Sequence, residues 1–271
     1  MKRRLLVLVA VGVATVSVGV TLLFITRRRD KAADAATTRL STVEASFVEL
    51  LHGDFERVDR AAKTLGADAK TREAIAARDP VRARALAETF VGADANLEVL
   101  FSDPRGEVIA TVGTEHPVKD LAEIPDLMSH PFPTLSVLRG NEFHEVVWRG
   151  CGADASHSTP AYVAAQPSPS GVVVVCMRIG SEYVAHAAEV LGVELAVLGD
   201  GDHFGSRDST FFGSEGFDHD TFLAWWDRPK ETGPFVVKVQ GRAVAVVGFR
   251  PKELSGLLAL ASIDLQASPN R

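Results

Sequence analysis

Cysteine is nearly absent, with two in 271 residues. A disulfide scaffold is thereby excluded, because such folds need several bridges to stand in for a large core. A concentrated basic surface is absent as well. The net charge is −6, and the clustered basic residues flank one apolar run at the N-terminus. The folded part offers nucleic acid nothing to bind. No glycine-rich loop ends in Gly-Lys-Ser or Gly-Lys-Thr, and no histidine pair has zinc-enzyme spacing. Gly213-Ser214-Glu215-Gly216 lacks the nucleophile-elbow pattern. No paired carboxylates stand out from the general acidic surface. These absences argue against an enzyme and against a bound cofactor. What the chain does have is apolar content, 46% hydrophobic against 24% charged, the balance of a packed core.

The longest uncharged stretch is Leu5–Ile25, 21 residues. As a helix it spans about 31 Å, enough to cross a bilayer's hydrocarbon core. Lys2, Arg3 and Arg4 precede it, and Arg27, Arg28, Arg29 and Lys31 follow. A cleaved signal peptide has a shorter apolar stretch and small residues where these arginines stand. The run therefore reads as a single-pass membrane anchor at 5–26, with a short basic tail at 1–4 and a juxtamembrane linker at 27–37. With basic residues on both flanks, the positive-inside rule does not decide the orientation. A short basic tail before a first helix is the usual layout of an export anchor.

Leu40, Val43, Phe47, Leu51, Phe55, Val58, Ala62 and Leu65 recur every three or four residues, one apolar stripe on a helix. The opposite face is charged, and no proline interrupts. A helix over 38–65 is roughly 40 Å long, too long to be covered by one small layer. It is a spine for the domain, a homodimer seam, or both. A second helical region follows Gly66. There Asp79 stands before Pro80 as a cap before a first-turn proline, and Gly92 marks the end.

From Leu97 the pattern becomes that of strands. Leu97–Phe101 and Glu107–Val112 flank the turn Ser102-Asp103-Pro104-Arg105-Gly106. Phe143–Arg149, Ala161–Gln166 and Gly171–Ile179 follow, then a helix over Ser181–Leu191 that stops at Gly192. A second round has Val193–Leu198 with a short partner, helical residues at Asp220–Trp226, the hairpin Pro234–Gln240 and Arg242–Phe249, and a closing strand over Gly256–Leu265. The chain is α+β, with two successive antiparallel sheets.

This order of elements resembles the double Cache (PAS-like) sensory domains of bacterial receptors. The likeness is carried by LEVLFSDPRGEVIATVG from Leu97, by GVVVVCMRIGSEYVAHAAEVLGVELAVLGDGDHFGSR from Gly171, and by GPFVVKVQGRAVAVVGFRP from Gly233 with GLLALASIDL after it. It covers about Thr38 to Leu265 and divides the chain into a long helix plus membrane-distal domain at 38–191, a smaller second domain at 192–265, and a tail at 266–271. The resemblance implies a sensor of signal transduction at the inner membrane, its folded domain periplasmic, binding a small metabolite in the distal sheet. Such receptors continue into a second membrane helix and an output module. This sequence stops at Arg271, so the expectation is a separate signalling partner, a fragment of a longer receptor, or a small-ligand-binding protein without its own signalling. The competing expectation is a structural or assembly component of the cell envelope with no ligand.

Candidate ligand contacts are His144, Trp148, Arg149 and Tyr162, which combine aromatics with one guanidinium, as a pocket for a small anion requires. Alternation puts His144 and Trp148 on one strand face and Arg149 on the other, so Trp148 and Arg149 share a pocket only if the strand ends or bulges there. Asp200, Asp202, His203, Asp218, His219 and Asp220 read as turn and cap residues, not metal ligands. If the three distal strands form a meander, Cys151 and Cys176 lie two strands apart, about 9.6 Å. A disulfide needs Cα atoms within about 7 Å. A bridge requires the loop after Gly150 to fold back over the middle strand. The alternative is two buried thiols.

Overall fold

One helix organises the chain. In the computed structural model, α1 (Lys2–Ala67) is continuous over 66 residues. The structure describes residues 2–92, 96–114, 117–123, 137–147, 160–199, 207–209, 234–239, 242–252 and 257–265. The expected linker at 27–37 is therefore helical, as its run of alanines and charged residues favours. The anchor segment Leu5–Ile25 lies in this helix, with its side chains outside the described residues. Among the residues whose side chains are described, which begin at residue 31, no helix is long and apolar enough to cross a membrane.

After α1 come α2 (Ala69–Ala76) and α3 (Pro80–Val91). Asp68 caps α2 by accepting from the Thr71 amide at 2.8 Å. Asp79 caps α3 by accepting from the Val81 and Arg82 amides at 3.1 and 3.0 Å, and Pro80 opens the first turn, where no amide hydrogen is needed.

The distal sheet contains β1 (Leu97–Ser102), β2 (Val108–Val112), β3 (Phe143–Val147), β4 (Ala161–Ser168) and β5 (Gly171–Arg178). Its spatial order is β2-β1-β5-β4-β3. Helix α4 (Ser181–Leu191) leads from β5 to the proximal sheet of β6 (Glu194–Gly199), β7 (Arg207–Ser209), β8 (Phe235–Val239), β9 (Arg242–Phe249) and β10 (Leu257–Asp264). Its order is β7-β6-β10-β9-β8. Each sheet is antiparallel and places its last-made strand in the centre. The expected helix at Asp220–Trp226 lies outside the described residues.

The stripe on α1 is what holds the two sheets. Leu40, Val43, Phe47, Leu51, Phe55, Val58, Ala62 and Leu65 are all buried, in one core cluster that takes in residues from both sheets and from α4. Phe47 meets Phe249 of β9 edge-on at 5.7 Å, and Phe55 stacks on Tyr162 of β4 at 4.0 Å. The lower half of the spine thus backs the proximal sheet and the upper half the distal one. The stripe is used within the chain, so a dimer through α1 would have to use its charged outer face. Arg39 reaches from α1 to the Leu191 carbonyl at 3.3 Å and secures the end of α4.

The β1–β2 turn is held from within and without. Asp103 Oδ1 accepts from the Arg105 and Glu107 amides at 2.8 and 3.1 Å, while Arg78 pairs with Asp103 at 3.1 Å and also with Glu107. Gly171 opens β5 at φ 146°, where a Cβ would lie 2.0 Å from the Ser102 carbonyl oxygen and 2.9 Å from Ile75 Cγ2. Only a residue without a side chain fits between the central strand and its neighbour. Gly171→Ala is expected to destabilise the chain by about 3 kcal/mol or more, from combined strain and overpacking. Urea denaturation checks this, and the same substitution at Gly53, where a Cβ meets nothing within 4 Å, is the benign control.

Candidate functional site

Alternation along β4 and β5 separates the two faces of the distal sheet. Tyr162, Ala164, Val173, Val175 and Met177 face the spine. Ala161, Val163, Ala165, Val172, Val174 and Cys176 face away and form a second core with Leu100, beneath Val118, Leu121 and Val137. The floor of this far face is made of small side chains, alanine and valine.

One charged pair interrupts that apolar face. Glu98 of β1 lies opposite Cys176 of β5 and is 3% exposed. Arg178, two residues along β5, reaches Glu98 Oε1 through Nε at 3.2 Å. A carboxylate withdrawn from water costs several kcal/mol unless a cation and hydrogen bonds replace the solvent. The Arg178 side chain keeps 39% of its surface, so the pair connects the buried floor to the outside. Ser102, farther along β1, is fully buried on the distal sheet, and among the described residues its hydroxyl has no hydrogen-bond partner.

The sequence candidates are distributed differently. Tyr162 turns to the spine, where its hydroxyl donates to Asp59 Oδ1 at 2.9 Å and its ring lies on Phe55. Burial and the Asp59 carboxylate push the Tyr162 hydroxyl well above its usual range. His144 pairs with Ala164 of β4 and so shares the spine-side face, at an exposed edge. Trp148 and Arg149 lie outside the described residues, as do Asp200, Asp202, His203, Asp218, His219 and Asp220. Cys176 is disulfide-bonded, and Cys151, the other cysteine of the sequence, lies outside the described residues. Among the described residues no group of three His, Cys, Asp or Glu side chains could hold a metal ion.

Glu98 and Arg178 are not among the residues that the sequence singles out. The available signal is a charge of far-face parity inside each of two apolar strands, Leu-Glu-Val-Leu-Phe and Val-Val-Val-Val-Cys-Met-Arg.

Solved structures share this architecture. The ligand-binding domain of the Campylobacter jejuni chemoreceptor Tlp3, in complex with 4-methylisoleucine, matches with a TM-score of 0.53 at 10% identity, over 90% of this chain and 96% of that one. This is the double Cache fold. A domain of a sensory box/GGDEF family protein from Vibrio parahaemolyticus matches with a TM-score of 0.54 at 10% identity, over 88% and 97% of the two chains. The extracellular domain of the histidine kinase vpHK1S-Z8 matches with a TM-score of 0.52 at 8% identity, over 88% and 93%. Neither a family model nor a curated protein sequence matches. At these identities the double Cache likeness speaks to the fold alone.

Two expectations follow from the geometry. Glu98→Ala should destabilise the chain by about 2 kcal/mol, below the full cost of breaking a buried pair because Arg178 is partly solvated. Urea denaturation measures it, and Glu98→Leu with Arg178→Leu should recover most of the loss. The second expectation concerns Tyr162, whose folded-state pKa is raised. Its contribution is complete below the unfolded value of about 10 and is lost as pH rises above it. Tyr162→Phe should therefore show a shallower loss of stability than the parent between about pH 10 and 11.5.

Proposed function

We propose that this chain is a membrane-anchored, extracytoplasmic sensor that binds a small ligand on the far face of its distal sheet. Leu5–Ile25 is the anchor, residues 38–191 form the ligand-binding unit, and 192–265 form the membrane-proximal unit. The observation that carries the reading is the Glu98–Arg178 pair at the margin of an otherwise apolar, small-residue floor. A pocket of that make-up suits an aliphatic molecule carrying both charges: Arg178 takes its carboxylate and Glu98 its ammonium. The Tlp3 domain was solved with 4-methylisoleucine and with L-norvaline, which have that chemistry. Arg149, just past the described end of β3, is a further proposed contact, and Cys151 is the proposed partner of Cys176. Such a bridge ties the chain after β3 back across β4, because β3 and β5 are not neighbours. The output lies with a further module or a separate protein. The competing reading, a structural component of the envelope, predicts no small ligand.

The test is a thermal-shift screen of the purified chain against aliphatic amino acids, amines, short carboxylates, purines and sugars. A ligand at 100 times its dissociation constant adds about 2.7 kcal/mol of stability. The expected result is a shift with aliphatic amino acids that disappears in Arg178→Ala. No shift with any class removes the sensor reading in favour of the structural one.

A further inference from the structure

The far face of β1 has a second polar position. Ser102 lies opposite Val172 of β5, and Val172 belongs to the far-side core. Ser102 therefore projects to the same side as Leu100 and Glu98. It is fully buried, and among the described residues its hydroxyl has no hydrogen-bond partner. A buried hydroxyl in that state costs free energy that an alanine in its place would not.

The local fold makes no use of this hydroxyl. A serine at the start of a turn commonly bonds the turn's own backbone, but here Asp103 does so, through the Arg105 and Glu107 amides. Gly171 packs against the Ser102 carbonyl, not its side chain. Glu98 and Ser102 thus mark the two polar ends of one buried strand face, with Leu100 between them. The ends differ in kind. At one, Glu98 and the Arg178 guanidinium supply both signs of charge. At the other, the core that holds Val172 and Leu100 is completed by Val118, Leu121 and Val137, apolar groups that would leave a ligand's charge uncompensated.

The spacing sets a length. Four residues of strand separate the two Cα atoms by about 13 Å, and one hydrogen bond of about 3 Å at each end leaves about 7 Å for an occupant. The short branched side chain of valine or isoleucine does not cover that span. A straight chain with one polar atom at its tip does.

We propose that Ser102 is a specificity-determining contact of the distal site, hydrogen-bonding an uncharged polar group at the tip of a ligand side chain whose ammonium and carboxylate are held by Glu98 and Arg178. The ligand class narrows from aliphatic amino acids at large to those with an unbranched side chain of about four carbons ending in a hydroxyl or amide. This inference rests on the sensor reading above and deepens it.

The test is titration calorimetry of the full chain with two probes, ε-hydroxynorleucine and norleucine, which differ by the terminal hydroxyl. The parent should bind ε-hydroxynorleucine about tenfold more tightly, and Ser102→Ala should reduce that preference to within about twofold while leaving norleucine unaffected. No preference in the parent, or the same preference in Ser102→Ala, overturns the role of Ser102 and leaves the sensor reading standing. Binding of neither probe overturns this ligand class. The thermal-shift screen then separates the two failures: a shift with another class keeps the sensor reading, and no shift with any class removes it. A second arm needs no ligand. In urea, Ser102→Ala should leave the unfolding equilibrium constant within about twofold of the parent, or make unfolding less favourable, since no bond is lost. A larger loss of stability means that the hydroxyl is bonded within the folded chain, and it overturns the proposal.

Discussion

The arrangement of the two sheets depends on the burial of one stripe along α1. Nine apolar side chains from Leu40 to Leu65 are buried in a core shared by two sheets that do not pair with each other. The relation between the sheets is set by their common backing, a rigid helix about 38 Å long between those two residues. Without it each sheet would expose its spine-side apolar face to water. With it, a single core cluster runs from Ala36 to the end of β10.

That backing gives the distal sheet two different surfaces. The spine side carries the large side chains, Tyr162, Met177 and Phe101, which reach across to a helix. The far side carries small ones and the Glu98–Arg178 pair. A period-2 strand needs only a change of residue size at every second position to produce this division. The strands that floor the candidate site are therefore the strands that grip the spine, and Arg178 and Met177 are neighbours in the chain with opposite duties.

Much of this is legible in the sequence. The stripe on α1, the cap at Asp79, the hairpin around Asp103-Pro104-Arg105-Gly106 and the order of all but the irregular segments follow from periodicity and turn chemistry, which are local. The site is less legible because facing direction is not local. Tyr162 has the composition of a pocket residue, yet its parity on β4 sends it to Asp59 and Phe55. Glu98 has the local pattern of a solvated charge. Its burial follows only from β1 lying inside the sheet between β2 and β5, an arrangement that depends on residues more than seventy positions away. The burial of the stripe within the chain follows from the same non-local fact: both sheets pack on it.

The shared spine also governs how the chain comes into being. Leu51 is made early, but the proximal strand at Ala261 that completes the core is made last. At about 5–20 residues per second, translation leaves that stripe uncovered for roughly 10–40 s. A nascent helix so long exposed is a natural client for a holding chaperone, and its stripe waits uncovered for the strands that bury it.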